Sequence, residues 1–127
     1  MAAGFAGSGG RFVPVLCDVG DAANVAAAFG RIADATASLN AMICCAGVLR
    51  TGLMESMRIE DFDLVMNINT RGTFLCAQAA EPWLVRRGRG AIVNIASDAG
   101  VVGNAGAAIY CASKGGVVLM SKALARE

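Results

Sequence analysis

Residues 90–114 read GAIVNIASDAGVVGNAGAAIYCASK, and the order of elements in that stretch decides the fold. Its first seven residues (GAIVNIA, 90–96) form a short apolar run bounded by glycine, the signature of a buried strand. A loop rich in glycine and alanine carries the chain past Gly106, and the spacing predicts a helix from about 107 to 126. The same strand-then-helix order recurs upstream. Residues 41–45 (AMICC) read as a buried strand terminated by Ala46 and Gly47. Beyond a loop, Ser56 is a loose helix-start signal, and residues 59–87 are helical in pattern. That helix should adjust around residues 69–72 and again near Pro82. Further back, residues 11–17 (RFVPVLC) read as a strand ending at Asp18. Asp21 then caps a helix reaching about residue 37, with Val25, Phe29 and Ile32 on one face. Three apolar strands, each followed by a helix, predict an α/β fold: a partial, doubly wound parallel sheet covered on both faces. Nothing divides the chain, so residues 1–127 read as one partial domain with a glycine-rich, irregular start over residues 1–10.

Composition narrows the function classes. With 56% hydrophobic and 17% charged residues, the chain is no extended disordered tail. The net charge of +1 and the scatter of basic residues exclude a nucleic-acid surface. The only cluster, Arg86, Arg87 and Arg89, suits a solvated helix end. Histidine is absent, which removes Ser-His-Asp and Cys-His catalysis together. The five cysteines (Cys17, Cys44, Cys45, Cys76, Cys111) form no Cys-x-x-Cys pair, so no metal site is expected. Adjacent Cys44 and Cys45 suit buried strand thiols in a reducing cytoplasm. No signal peptide is expected at the start, and no apolar run reaches the ~18 residues of a membrane span. Acid-base chemistry falls to Tyr, Lys, Asp, Glu or Cys.

The single tyrosine, Tyr110, has Lys114 four residues on in the predicted helix, which puts both on one face. A free phenol ionises near pH 10, so ionising it at neutral pH takes roughly 4 kcal/mol of stabilisation. A neighbouring buried cation is a physical means of supplying it. The plain alternative is a surface tyrosine beside an incidental lysine. Ser97 shifts the balance: it stands at the carboxyl end of the 90–96 strand, where open α/β sheets bind ligands, thirteen residues before Tyr110.

Taken together, the stretches CDVGD, CCAG, NINTRGTF, IVNIASDAG and YCASKGGVVLMSKALARE resemble the central part of the short-chain dehydrogenase/reductase family, most closely its compact, ketoreductase-type members. The resemblance implies a Rossmann-type fold and an oxidoreductase that exchanges hydride between NAD or NADP and a small carbonyl or alcohol substrate. Carried onto this sequence, it makes Tyr110 the general acid in reduction and the base in oxidation. Lys114 would ease ionisation of that phenol and hold the nicotinamide ribose. Ser97 would donate to the substrate oxygen. Asn69 would sit at a distorted helical turn and hold a water in a proton relay behind Lys114; alone, it would be a helix-interrupting asparagine satisfied by backbone. Asp18 and Val19 fall where the family contacts the adenine, although an aspartate after a strand is by itself a turn or cap. Cys44, Cys45, Ala46 and Gly47 replace the family's usual Asn-Asn-Ala-Gly. Ala46 and Gly47 keep the small side chains that admit the cofactor beside Cys45, while thiols replace the hydrogen-bonding asparagines. Epimerases and dehydratases of the extended branch share Tyr-x-x-x-Lys but fit NINTRGTF and SKALARE less well.

The family's phosphate-binding loop, Thr-Gly-x-x-x-Gly-x-Gly, opens its first helix. The glycines at 4, 7, 9 and 10 have other spacing, and a strand follows them, so this stretch reads as a plain loop. The resemblance therefore spans the middle of the family's domain, without its first two strands or the part after the Tyr110 helix. In the 3-2-1-4-5-6 order, two strands would separate the 11–17 strand from the 41–45 strand. The 11–17 strand is then expected either to stay unpaired or to close into a different pairing. The resemblance also implies a homo-oligomer through the two long helices, and no membrane or nucleic-acid partner. The alternative function is a truncated, inactive remnant that keeps only packing or association surfaces.

Overall fold

The computed structural model describes residues 12–127. The glycine-rich start and Arg11 lie outside the described residues, so the loop expected at residues 4–10 is not part of the description.

The elements follow the expected alternation. Helix α1 spans Ala22–Ala35, and strand β1 spans Ala41–Cys44. A 3-10 turn covers Met54–Ser56. Next come α2 (Ile59–Val65), a π-helical turn (Met66–Arg71) and α3 (Gly72–Arg87), then strand β2 (Ala91–Asn94). A short α4 (Ala99–Val102) and the long α5 (Ala108–Leu124) complete the order. Asp21 caps α1 as its side chain predicts, accepting from the Asn24 amide at 2.9 Å. The junctions at Met66 and Gly72 keep right-handed helical backbone, so α2, the π turn and α3 run on as one helix. Its irregularity is the π turn around Asn69, where the sequence placed an adjustment. Near Pro82, where the second adjustment is expected, α3 continues without a break. Pro82 and Gln78 are both exposed, so water can take the carbonyl that proline leaves without a donor.

β1 and β2 pair in parallel, with Ala41 opposite Ala91 and Cys44 opposite Asn94. A parallel pair needs a crossover, and α2–α3 supplies it. The fold class stands as a partial Rossmann-type sheet, with two differences. Residues 12–17 are not a strand, so the described sheet has two strands rather than three. Among the described residues, the sheet pairs β1 with β2 alone and leaves residues 12–17 outside it. Among the described residues, the sheet is also covered on one face only. Met42, Cys44, Ile92 and Asn94 face inward, whereas Ala41, Ile43, Ala91 and Val93 are exposed. Among the described residues, α3 packs on both strands and α5 on β2, while α1 packs on α3. The core at the β1 edge gathers Val25, Cys44 and Cys76, with Cys17, Val19, Phe29 and Leu75 against them. Among the described residues, no helix is long and apolar enough to cross a membrane.

Candidate active site

The site forms where the carboxyl ends of both strands meet the π turn and the first turns of α5. In a π turn the hydrogen bonds close one residue later than in an α-helix, which re-aims the side chains within it. Here the turn puts Asn69 wholly inside, with no exposed surface. A buried amide must satisfy both its ends, and this one does. Its Oδ1 accepts from the Val48 amide at 2.8 Å, and its Nδ2 donates to the Val48 carbonyl at 2.9 Å and to Ser113 Oγ at 3.0 Å. The Thr73 hydroxyl donates to the Asn69 carbonyl at 2.7 Å.

Lys114 projects from α5 into the same place and is only 5% exposed. Its Nζ donates to the carbonyl of Ile95, just past β2, at 2.7 Å. The same ammonium lies 5.9 Å from the centre of the Tyr110 ring, as the four-residue spacing on one helix predicts. Burial pulls the lysine below its ordinary pKa, and Cys45 pushes the other way. Gly47 completes the cradle. A Cβ there would stand 3.3 Å from Asn69 Oδ1 and 3.5 Å from Lys114 Nζ, so its absence keeps the approach to both groups open.

The residues expected at the adenine end divide. Val19, Cys45 and Ala46 line one cleft of about 170 Å³ together with Gly72 and Thr73. That volume falls below the roughly 300–1,000 Å³ of sites that hold a whole ligand. Asp18 Oδ1 instead accepts from the Gly20 amide at 2.9 Å, the local turn that aspartate makes in a loop. The Arg71 guanidinium donates to the Gly20 carbonyl and to Asn67 Oδ1, which ties this turn to the π turn.

Ser97 is half-buried just beyond β2. Its hydroxyl donates to Asp98 Oδ1 at 3.0 Å and accepts from the Ala99 amide at 3.2 Å, at the start of α4. The structure thus gathers Gly47, Asn69, Tyr110 and Lys114 around one point. It leaves the polar groups of Ser97 and Asp18 engaged in their own turns.

Several residues of the site were not singled out by the sequence. Ser113 accepts from Asn69 and donates to the Tyr110 carbonyl at 2.8 Å. Its signal was slight, a small polar residue between Tyr110 and Lys114 in a helix that carries Ser121 as well. Arg71 carried a weaker signal, a charge in the turn next to Asn69. The backbone groups of Val48 and Ile95 carried none, since their role depends on where the chain brings them.

A family model described as short chain dehydrogenase matches residues 1–127. D-threitol dehydrogenase of Mycolicibacterium smegmatis is 41% identical over 127 residues, covering 100% of this chain and 49% of the relative. A 3-oxoacyl-acyl-carrier-protein reductase of Staphylococcus aureus is 37% identical over 113 residues, 89% of this chain and 46% of the relative. One from Thermotoga maritima is 32% identical over 118 residues, 93% of this chain and 48% of the relative. The chain spans about half the length of the curated relatives it matches.

Proposed function

The chain belongs to the short-chain dehydrogenase family, and from that premise we propose that it carries the proton-transfer site of an oxidoreductase acting on a small carbonyl or alcohol with NAD or NADP. The observation that carries this reading is the Lys114 ammonium, buried 5.9 Å from the centre of the Tyr110 ring and sharing the open space over Gly47 with Asn69 Oδ1.

The residues present fit a nicotinamide ribose. Gly47 leaves its backbone approachable, and Lys114 has three donors of which Ile95 takes one among the described residues. Lys114 and Tyr110 would hold the ribose hydroxyls, while Val19, Cys45 and Ala46 would line the way toward the adenine, with Asp18 at its edge. When bound, the nicotinamide supplies or accepts the hydride. The chain's own residues manage the proton. In reduction, the Tyr110 hydroxyl gives its proton to the carbonyl oxygen as the alcohol forms; in oxidation it takes one back. Lys114 places positive charge beside the ring that bears negative charge after the transfer. Asn69 holds the inner side of the site and the water expected behind Lys114. Ser97 would turn its hydroxyl from Asp98 to the substrate oxygen, a rotation about one bond.

The proposal includes self-association through α3 and α5, where Phe74 and Leu119 are 44% and 67% exposed. It also includes a cytoplasmic location, for which the five free thiols offer support.

The test is Tyr110→Phe in the protein that contains this segment, assayed by nicotinamide absorbance with a panel of ketones and alcohols. Turnover should fall by about 10²–10⁴, the usual contribution of a general acid, with cofactor affinity within about twofold of the parent. Equal turnover rejects the assigned acid.

A second reading is a chain that only packs or associates, and the bare sheet face favours it, with Ile43 61% exposed. Titration of the 127-residue chain with NADH and NADPH separates the two. Saturable micromolar binding sinks the second reading; no binding sinks activity for these residues alone.

A further inference from the structure

We propose that Ser113 is a positioning residue, the side chain that fixes Tyr110 and Lys114 against Asn69. The inference rests on the proton-transfer reading above and assigns a residue which that reading does not use.

Ser113 has no exposed surface. A hydroxyl has one hydrogen, and here it goes to the Tyr110 carbonyl at 2.8 Å, an oxygen that can only accept. Toward Asn69 the hydroxyl therefore offers only lone pairs, and the Asn69 Nδ2 donates into them at 3.0 Å. The other Nδ2 hydrogen goes to the Val48 carbonyl, and Oδ1 takes the Val48 amide. Val48 sets which way round the amide stands. Ser113 sets where α5 stands relative to it, because it links the π turn directly to the backbone of Tyr110. A parallel bond reinforces the link: Thr70 Oγ1 donates to the Ser113 carbonyl at 3.0 Å. Lys114 is the next residue, so any slip of α5 at this point moves the ammonium and the phenol together.

The same helix supplies an internal control. Ser121 Oγ donates to the Val117 carbonyl at 2.7 Å and accepts from Asn94 Nδ2 at 2.9 Å. It makes the same two kinds of bond about three turns away from Tyr110.

The experiment compares Ser113→Ala, Ser113→Thr and Ser121→Ala in the active protein. Ser113→Ala should lower kcat about tenfold or more and raise cofactor KM with it, since small misplacements of reacting groups are costly and Lys114 moves with Tyr110. Ser113→Thr, which keeps the hydroxyl, should recover kcat to within about threefold, and Ser121→Ala should leave kcat unchanged. Equal kcat losses in Ser113→Ala and Ser121→Ala would overturn the proposal.

Exchange of the Asn69 side-chain amide hydrogens, followed by NMR, reads the link without any turnover. Exchange should be slow in the parent and in Ser121→Ala and fast in Ser113→Ala. If Ser113→Ala does not fold, the parent decides: Asn69 exchanging as fast as the exposed Asn24 overturns the link. A parent with slow Asn69 exchange but no turnover would reject the proton-transfer reading and leave the link supported.

Discussion

A lysine that is 5% exposed must be stabilised by something other than water, and at Lys114 the hydrogen bond among the described residues goes to the carbonyl of Ile95, with the Tyr110 ring 5.9 Å away. Removing the charge should therefore separate stability from function. Lys114→Met keeps the length and discards the buried ammonium, at the expense of an unpaired Ile95 carbonyl worth about 1–3 kcal/mol. The urea midpoint should hold or rise as the desolvation is relieved, while cofactor affinity falls about tenfold with the loss of a charged donor. A midpoint that drops with affinity intact would make the lysine structural. Cys44 gives a second prediction at this scale. Burial, then the neighbouring Cys76, pushes its thiol from 9.0 up to about 11. The unfolded chain releases this proton first, so stability is full below pH 9 and is lost as pH rises toward 11. The loss amounts to about 2–3 kcal/mol for the thiol alone. Lys114, with its pKa lowered by burial, acts oppositely, since the unfolded chain holds that proton longer and alkaline pH stabilises the fold. Urea midpoints at pH 8 and pH 10.5 should fall less in Cys44→Ala than in the parent, and an identical fall would refute the buried thiol. Tyr110, Lys114 and their four-residue spacing were legible because a helix turns spacing into adjacency. Ser113 and Val48 were not, because their partner Asn69 is far away in sequence and only folding brings it near.

Among the elements, the π turn and α4 matter most to the site. The turn was legible as an irregularity near residues 69–72, since asparagine and glycine interrupt helical patterning there. Its π character was not, because that depends on what the inserted residue packs against. α4 was read as loop, and reasonably, for its four residues (AGVV) are too few to show periodicity. Packing against α5 defines it. A Cβ on Gly100 would stand 2.6 Å from both the Gly115 nitrogen and the Lys114 carbonyl carbon, backbone atoms that cannot step aside. Gly100→Ala should thus lift α4 off the segment that carries Lys114. We expect a loss of about 1–3 kcal/mol, the usual range for overpacking, measured by thermal or urea unfolding. A variant as stable as the parent would mean that α4 does not back the site so closely.

At the scale of the whole molecule, the sheet determines how the chain behaves. Ile43 and Val93 point to the bare face, 61% and 46% exposed. Replacing either by threonine, which suits a strand equally, should change unfolding free energy by no more than about 0.5 kcal/mol. A cost above ~1.5 kcal/mol in the 127-residue chain would show that something covers this face in solution. The sequence by itself determined the alternation of strands and helices, the parallel pairing this enforces, and the Tyr110–Lys114 pair, because each depends on residues close along the chain. It could not determine how many strands join the sheet or which face is covered. Residues 12–17 carry a strand's composition, yet among the described residues no strand presents them a ladder to join. Nor could it determine the closure of the site. The Val48–Asn69–Ser113–Tyr110 connections span three separate segments. Hydrogen bonds between distant segments follow from tertiary packing, so only the folded chain decided that Asn69, Lys114 and Tyr110 share one place.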